Sequence, residues 1–373
     1  MLPKPPILVI LTPGFPESEA DTTCLPLQQA LVKAIKEDHP GINPQVLSFE
    51  YPFKARNYTY HGVPVQAFGG RNKGKLFRLY NWLKVWMALT KLKKDYEIIG
   101  LLSFWLGECA FIGEQFARLH RLKHYCWMLG QDARFDNKYF TLAGIDSNRL
   151  VAISDFLVSN METNYDVTPK HVIPGGIDQS KFEENDCERT IDIIGVGSLI
   201  PLKQYHLFLD VICRLRRRFP NIKAVICGAG PERARLMRMI YKLKIQTNVT
   251  LVEELPHPQV LAMMQQSKVL LHTSNYEGLV MVAPEALAAG AKVVSLLRLM
   301  DKDIPNWEIA ENTHDAAEII TGILTDANVE YTPVVPFKIE DTAAQFVKLY
   351  TESNVVAISR KRLAIALKDK VAL

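Results

Sequence analysis

The stretch Val269–Leu296, VLLHTSNYEGLVMVAPEALAAGAKVVSL, decides how the rest of this chain is read. Its apolar opening, Val269 to His272, suits a buried strand. A polar turn follows and ends in Glu277-Gly278. A helix then starts between Leu279 and Pro284, because proline is tolerated only in a helix's first turn. Gly290 is the expected stop, since glycine takes the left-handed conformation after a last turn. Val293-Val294 opens the next strand. Two carboxylates, Glu277 and Glu285, thus bracket a strand–loop–helix unit. Free N–H groups at a helix start attract phosphate, and Gly278 lets backbone approach a ligand. Both carboxylates can accept sugar hydroxyls. The combination suits a nucleotide-sugar site; two solvated glutamates near a helix start are the plain alternative.

Working outward, the second half alternates strand and helix. Strands are expected at Ile191–Val196, Ala224–Cys227 and Val249–Val252, with helices over 204–219 and 258–266 and another after Glu232. Gly195-Val-Gly197 and Gly228-Ala-Gly230 each lack the third glycine of a dinucleotide fingerprint, so they do not carry that reading. Lys203 stands in a turn before a helix, where a cation can pair with a diphosphate. The first half alternates too, with strands expected at Ile7–Leu11, Val46–Tyr51, Ile98–Phe104, His124–Leu129 and Leu150–Ile153. Gly14-Phe15-Pro16 lies between the first strand and a helix over 24–36, a common ligand position in open α/β sheets. Such an alternation predicts doubly wound parallel sheets, and 373 residues suffice for two domains.

A net charge of +4 does not by itself indicate nucleic acid. Six scattered cysteines without a CxxC pair suit buried thiols in a reducing cytoplasm rather than disulfides or zinc. The N-terminus lacks the layout of a signal peptide, and the apolar run 98–107 is too short to span a bilayer. Between 71 and 94 lie Arg71, Lys73, Lys75, Arg78, Lys84, Lys91, Lys93 and Lys94 without an acid, interleaved with Phe77, Tyr80, Trp82 and Trp86. A basic helix with aromatics can lie on an anionic membrane; alternatively its aromatics face the core and its bases face water. No nucleic-acid module accompanies it. Gln131 and Asp132, at the end of a strand, can meet a sugar or cap the next segment. His124 reads as structural.

Several motifs in fixed order resemble the retaining nucleotide-sugar glycosyltransferases of family four. They are Gly14-Phe15-Pro16, Val172-Ile-Pro-Gly-Gly-Ile-Asp178 with Phe182, Val196-Gly-Ser-Leu with Lys203, Gly228-Ala-Gly-Pro-Glu232, and Glu277-Gly278 followed by Glu285. The resemblance covers most of the chain and is strongest from Val172 to Ser295. It implies the GT-B fold: two Rossmann-like domains facing across a cleft, here 1–180 on the acceptor side and 190–340 on the donor side. A helical segment, 341–373, is positioned to return to the first domain. It also implies a donor site built from Gly14, Phe15, Gly197, Ser198, Lys203, Gly228, Gly230, Glu277, Gly278, Leu279, Val280 and Glu285. Glu285 would bind the ribose hydroxyls, Glu277 would sit by the donor sugar, and Lys203 would pair with the diphosphate. Two departures stand out. Ser198 replaces the family's usual arginine, and no histidine lies near Gly130-Gln131, so Gln131 or Asp132 is left as the polar group on the acceptor side.

The implied reaction moves a sugar from a nucleoside diphosphate to a saccharide or lipid-linked acceptor without metal or cofactor, in cell-surface glycan or polysaccharide synthesis. The expected location is the cytoplasm, with peripheral contact to an anionic membrane through 71–94. A GT-B sugar-nucleotide epimerase, a nicotinamide oxidoreductase and a non-catalytic binding protein are the alternative readings. The loop 57–74 is the least recognisable stretch on the acceptor side.

Overall fold

The computed structural model describes residues 4–71, 74–182 and 188–352. Lys73, Cys187 and the part of the last segment beyond 352 lie outside the described residues. The chain builds two sheets. The first holds β1 (Pro6–Gly14), β2 (Asn43–Tyr51), β3 (Arg56–Tyr60), β4 (Val63–Ala67), β5 (Glu97–Phe104), β6 (His124–Met128), β7 (Leu150–Ala152) and β8 (His171–Val172). Its order is β3-β4-β2-β1-β5-β6-β7-β8. The second holds β9 (Ile191–Val196), β10 (Ala224–Cys227), β11 (Val249–Val252), β12 (Ser267–His272), β13 (Lys292–Ser295) and β14 (Trp307–Ile309), in the order β11-β10-β9-β12-β13-β14. Strand pairing is parallel except for β3 with β4.

Parallel sheets covered by helices need strands buried on both faces, and the aliphatic runs supply them. Residues Ile7 to Leu11 of β1 are at most 1% exposed. In each sheet the earliest strand lies inside: β1 between β2 and β5, β9 between β10 and β12. The winding reverses there, which opens a crevice beyond the carboxyl ends of the strands. That topology sets where a ligand can enter.

Four strands escaped the sequence reading. β3 and β4 form an antiparallel hairpin at the sheet edge, inside the loop that had no recognisable pattern. His61 and Gly62 make its two-residue turn with φ of 43° and 73°, the left-handed pair such turns need. Pro64 within β4 masks the strand; β4 pairs with β2 only over Val65–Ala67, so the proline lies beyond that ladder. β8 and β14 are too short to show a period.

The helix Lys75–Asp95 buries Val85 and Leu89 and packs Trp82 on Phe111 and Trp86 on Phe116, at centroid distances of 5.2 Å each. Trp82 Nε1 donates to Glu108 at 2.8 Å. Its tryptophans therefore face the core. Its opposite side carries a stripe that neither expectation included: Leu76, Leu79, Tyr80, Leu83 and Met87 are all more than half exposed. Among the described residues no helix is long and apolar enough to cross a membrane.

A buried row in the first domain has the spacing of a catalytic triad. Ser103 Oγ lies 2.8 Å from His124 Nε2, and His124 Nδ1 lies 2.9 Å from Glu114 Oε2. All three side chains are sealed from solvent. Burial would raise the Glu114 carboxyl, but His124, Arg118 and Arg149 outweigh it and hold it low. The row ties β5, β6 and the helix Glu108–His120 together and has no access for a substrate.

Residues 339–352 are helical and pack on the first domain. Ile339, Ala343, Phe346, Val347 and Tyr350 form the buried stripe. Tyr350 Oη donates to the Leu101 carbonyl at 2.7 Å, and Lys123 Nζ donates to the Tyr350 carbonyl at 2.7 Å. Gly100 makes room for the Tyr350 ring: a Cβ there would stand 2.4 Å from two ring carbons. The ring is sealed in and anchored by its hydroxyl, so it cannot swing away. Gly100→Ala should destabilise the protein by about 1–3 kcal/mol, the usual cost of overpacking a core. A fall in Tm checks this; an unchanged Tm would mean the helix is not firmly docked.

Candidate functional site

The second sheet's crevice is built by three loops. After β9, Gly197 turns the chain at φ 141°. After β10, Gly228 and Gly230 turn at 154° and 155°. A Cβ on Gly228 would sit 2.0 Å from the Gly197 carbonyl oxygen, and one on Gly230 would sit 2.5 Å from that of Leu199. The two loops abut backbone to backbone, which only glycine permits. The third loop follows β12 and is clipped to the first. Thr273 Oγ1 donates to the Lys203 carbonyl at 2.8 Å, and Asn275 N donates to that of Leu202 at 3.2 Å.

These clips bring Lys203 Nζ to 2.6 Å from Glu277 Oε1, with 18% and 16% of the two side chains exposed. Burial alone would raise the Glu277 carboxyl. The His272 ring and the Lys203 ammonium outweigh it and lower it to about 2. His272 Nε2 stands 3.9 Å from Glu277 Oε1, beyond hydrogen-bond length, and is buried without a partner. Burial lowers the His272 pKa, which favours the neutral ring, and its Nδ1 is 2.9 Å from Ser295 Oγ. Ser274 Oγ is a second buried polar atom without a partner. Lys203, His272, Thr273 and Ser274 share a small recess bounded by Val196 and Val282. Polar atoms left unbonded inside a protein are uncommon, and two of them border this ion pair.

Val196 and Val282 also wall the main cavity, of about 450 Å³, which lies between the two sheets. Gly197, Ser198, Gly228, Leu279 and Glu285 line it from the second domain, and Trp105, Leu129, Thr23 and Gln28 from the first. Glu285 lies in the first turn of the helix Val282–Ala288, whose third residue is Pro284. His257 Nε2 is 2.8 Å from Glu285 Oε1.

Gly278 does not line the cavity; it seals the cleft. A Cβ on it would stand 1.9 Å from the Leu129 carbonyl oxygen. Ser154 Oγ donates to the Gly278 carbonyl, Tyr276 Oη donates to that of Gly130 at 3.3 Å, and Arg134 lies 5.4 Å from the Tyr276 ring centroid. The loop carrying Glu277 is thus braced by the first domain.

The remaining predicted residues sit elsewhere. Phe15 has no exposed surface and packs edge-on against Tyr60 at 5.2 Å; Gly14 is buried beside it. Their side is core rather than cavity. Asp132 takes the capping role: its carboxylate accepts from Leu106 N at 3.0 Å, Leu129 N at 3.1 Å and Gly130 N at 2.7 Å. Burial pushes its carboxyl up, although these N–H groups pull the other way. Gln131 is exposed. Val280 is buried and Gly230 shapes the loop. The sequence reading missed His257, His272, Lys181, Trp105 and Gln28. Only His257 carried a local signal, lying between Pro256 and Pro258 at a helix start. Among the described residues no group of three His, Cys, Asp or Glu side chains is placed to hold a metal ion.

Residues 177–298 match the family model of glycosyl transferases group 1. A phosphatidylinositol N-acetylglucosaminyltransferase component of Homo sapiens is 28% identical over 163 residues, which are 43% of this chain and 34% of that protein. The putative colanic acid biosynthesis glycosyltransferase WcaL of Escherichia coli is 26% identical over 151 residues, 37% of each chain. The chain therefore spans about a third of the length of these curated relatives. Sucrose-phosphate synthase of Thermosynechococcus elongatus superposes with a TM-score of 0.66 over 98% of this chain and 100% of that one, at 14% identity. HepE of Anabaena, solved with UDP and glucose, gives 0.63 over 97% and 99%, at 17% identity. The two-domain fold is GT-B.

The Lys203–Glu277 pair has an acid signature. A carboxyl whose folded pKa is depressed stabilises above its unfolded value and loses that contribution as pH falls through the folded one. The stability difference between wild type and Glu277→Gln should therefore shrink between the ordinary value of 4.5 and about 2. Urea unfolding across that range measures it, and a difference independent of pH would mean the pair is not formed.

Proposed function

We propose that this chain, whose fold is GT-B and whose residues 177–298 match the model of glycosyl transferases group 1, moves a sugar from a nucleoside-diphosphate-sugar donor to a saccharide or lipid-linked acceptor. The reaction retains configuration and serves glycan or polysaccharide synthesis. In this reading the described residues up to 180, joined by 341–352, form the acceptor side, and those of 190–340 the donor side. The observation that carries the reading is the Lys203–Glu277 pair, 2.6 Å long, beside a cavity walled by Glu285.

The chemistry follows from these groups. Breaking the bond to the anomeric carbon puts negative charge on the departing diphosphate and positive charge on the sugar ring. Lys203 turns from Glu277 toward the diphosphate and stabilises the leaving group. Glu277, lowered to about 2, is a carboxylate at neutral pH. It therefore steadies positive charge on the sugar and does not donate a proton. The backbone of Leu279, which lines the cavity, approaches the sugar and diphosphate, with Gly278 and Val280 packed behind it. Gly197, Ser198 and Gly228 leave room for phosphate. Glu285 accepts from the ribose diol. On the acceptor side, Asp132 is occupied by backbone N–H groups and Gln131 lies outside the cavity lining, which leaves Thr23, Gln28, Trp105, Asp178 and Lys181 as the polar lining.

A thermal-shift screen against UDP, GDP and ADP and their common sugars tests this, since a ligand of the folded state raises Tm. One nucleotide should stabilise the wild type, UDP being tried first because a superposable structure holds it. Transfer from the matching donor should then fall by about 10²-fold or more in Lys203→Ala, the scale for losing one electrostatic stabiliser, and similarly in Glu277→Ala. No shift with any nucleotide would favour a non-catalytic binding protein.

The second part of the proposal is peripheral contact with the cytoplasmic face of an anionic membrane. The exposed stripe Leu76, Leu79, Tyr80, Leu83 and Met87 supports it. Lys84 and Lys91 flank the stripe, and the helix has no acid before Asp95. Inserting a leucine contributes roughly 1.5–3 kcal/mol, against roughly 1 kcal/mol for a lysine near an anionic surface. Apolar insertion should therefore dominate. Leu79→Ser with Leu83→Ser should weaken co-sedimentation with phosphatidylserine vesicles by at least about 100-fold, more than added salt does. A wild type that ignores such vesicles at low salt would remove this part of the proposal.

A further inference from the structure

His257 is a cavity residue to which the donor reading gives no task. Its side chain is 16% exposed, and that of Glu285 is 13% exposed. It heads the helix His257–Gln265 with Pro256 before it and Pro258 after it, and proline on both sides stiffens the backbone that carries it. Its Nε2 lies 2.8 Å from Glu285 Oε1. A carboxylate oxygen only accepts, so Nε2 carries the proton and donates. Glu285 Oε2 accepts no other side-chain hydrogen bond among the described residues.

We propose that His257 is a positioning residue for the donor nucleotide. Its ring N–H fixes the Glu285 carboxylate by one oxygen and turns the other toward the ribose diol. A free glutamate has three rotatable bonds and must lose that freedom on binding, whereas one already held avoids this cost. The inference rests on the donor reading above and deepens it, because it assigns to His257 the recognition of ribose over deoxyribose. A histidine that merely packs would affect both sugars alike.

The test compares binding of the nucleoside diphosphate that stabilises the wild type (UDP, GDP or ADP) with binding of its 2′-deoxy counterpart. The wild type should prefer the ribonucleotide by at least about tenfold, the scale of one hydrogen bond to a charged group. His257→Phe, which keeps the ring but not the N–H, should bind the ribonucleotide about tenfold more weakly and lose the preference. Its kcat at saturating donor should stay within about threefold of the wild type, since the diol contact does not change during transfer. His257→Gln restores an N–H donor and should recover the preference. Combining His257→Phe with Glu285→Ala should be no worse than Glu285→Ala alone. Should the phenylalanine variant fail to fold, His257→Asn, whose amide falls short of Glu285, takes its place and must lose the preference.

Retained discrimination in His257→Phe would overturn the inference and leave the donor reading intact. So would a wild type that binds both nucleotides equally. A wild type that binds no nucleoside diphosphate would overturn the donor reading, and this inference with it.

Discussion

Lys203 and Glu277 hold each other across two loops that must be brought together before either side chain has a partner. Most of the second domain's detail follows from that requirement. β9 and β12 have to be neighbours, which the reversal of the winding provides. The loops have to be clipped, which Thr273 and Asn275 do. The glycines at 197 and 228 have to let backbone touch backbone. Such a pair contributes little to stability, because the cost of removing two charges from water offsets much of their attraction. It is better understood as two opposite charges kept ready. In the proposed reaction, a donor with an anionic diphosphate and a sugar that gains positive charge would offer a partner for each.

The first domain completes the arrangement without contributing an obvious charge to it. Its part is to brace. Gly278 meets the Leu129 carbonyl so closely that no side chain fits between them, and Asp132 locks the loop that makes this contact. The Ser103–His124–Glu114 row in the same domain is a useful contrast. It has the distances of a hydrolase site and no path to solvent, so it serves the core. Access, more than the identity of the side chains, separates the two clusters.

Much of this was legible in the sequence because a parallel strand must be apolar on both faces and a helix must stop somewhere. The strand at 269–272, the proline in a first turn and the glycine stop at 290 (φ 79°) follow from local rules. Other features depend on partners far along the chain. Nothing near Asp132 says that three N–H groups will surround it. Nothing near Glu285 points to His257, twenty-eight residues earlier. The β3–β4 hairpin was hidden by Pro64 and by a polar edge that needs no regular pattern. On the helix Lys75–Asp95 the aromatic residues drew the eye, yet three turns of leucine, tyrosine and methionine on the opposite side are what reaches water.

The helix at 339–352 makes the first domain discontinuous in sequence. Its plug for the notch at Gly100 and its donor to the Leu101 carbonyl come from Tyr350, after the whole second domain. A domain emerging from the ribosome ordinarily folds as soon as it is complete. Here the helix that covers β5 and β6 is synthesised only after residues 191–309. All eight strands of the first sheet precede residue 173, so that sheet is complete in sequence before the second begins, and only its covering helix comes late. The last packing element of the N-terminal half is thus the last part of it to be synthesised.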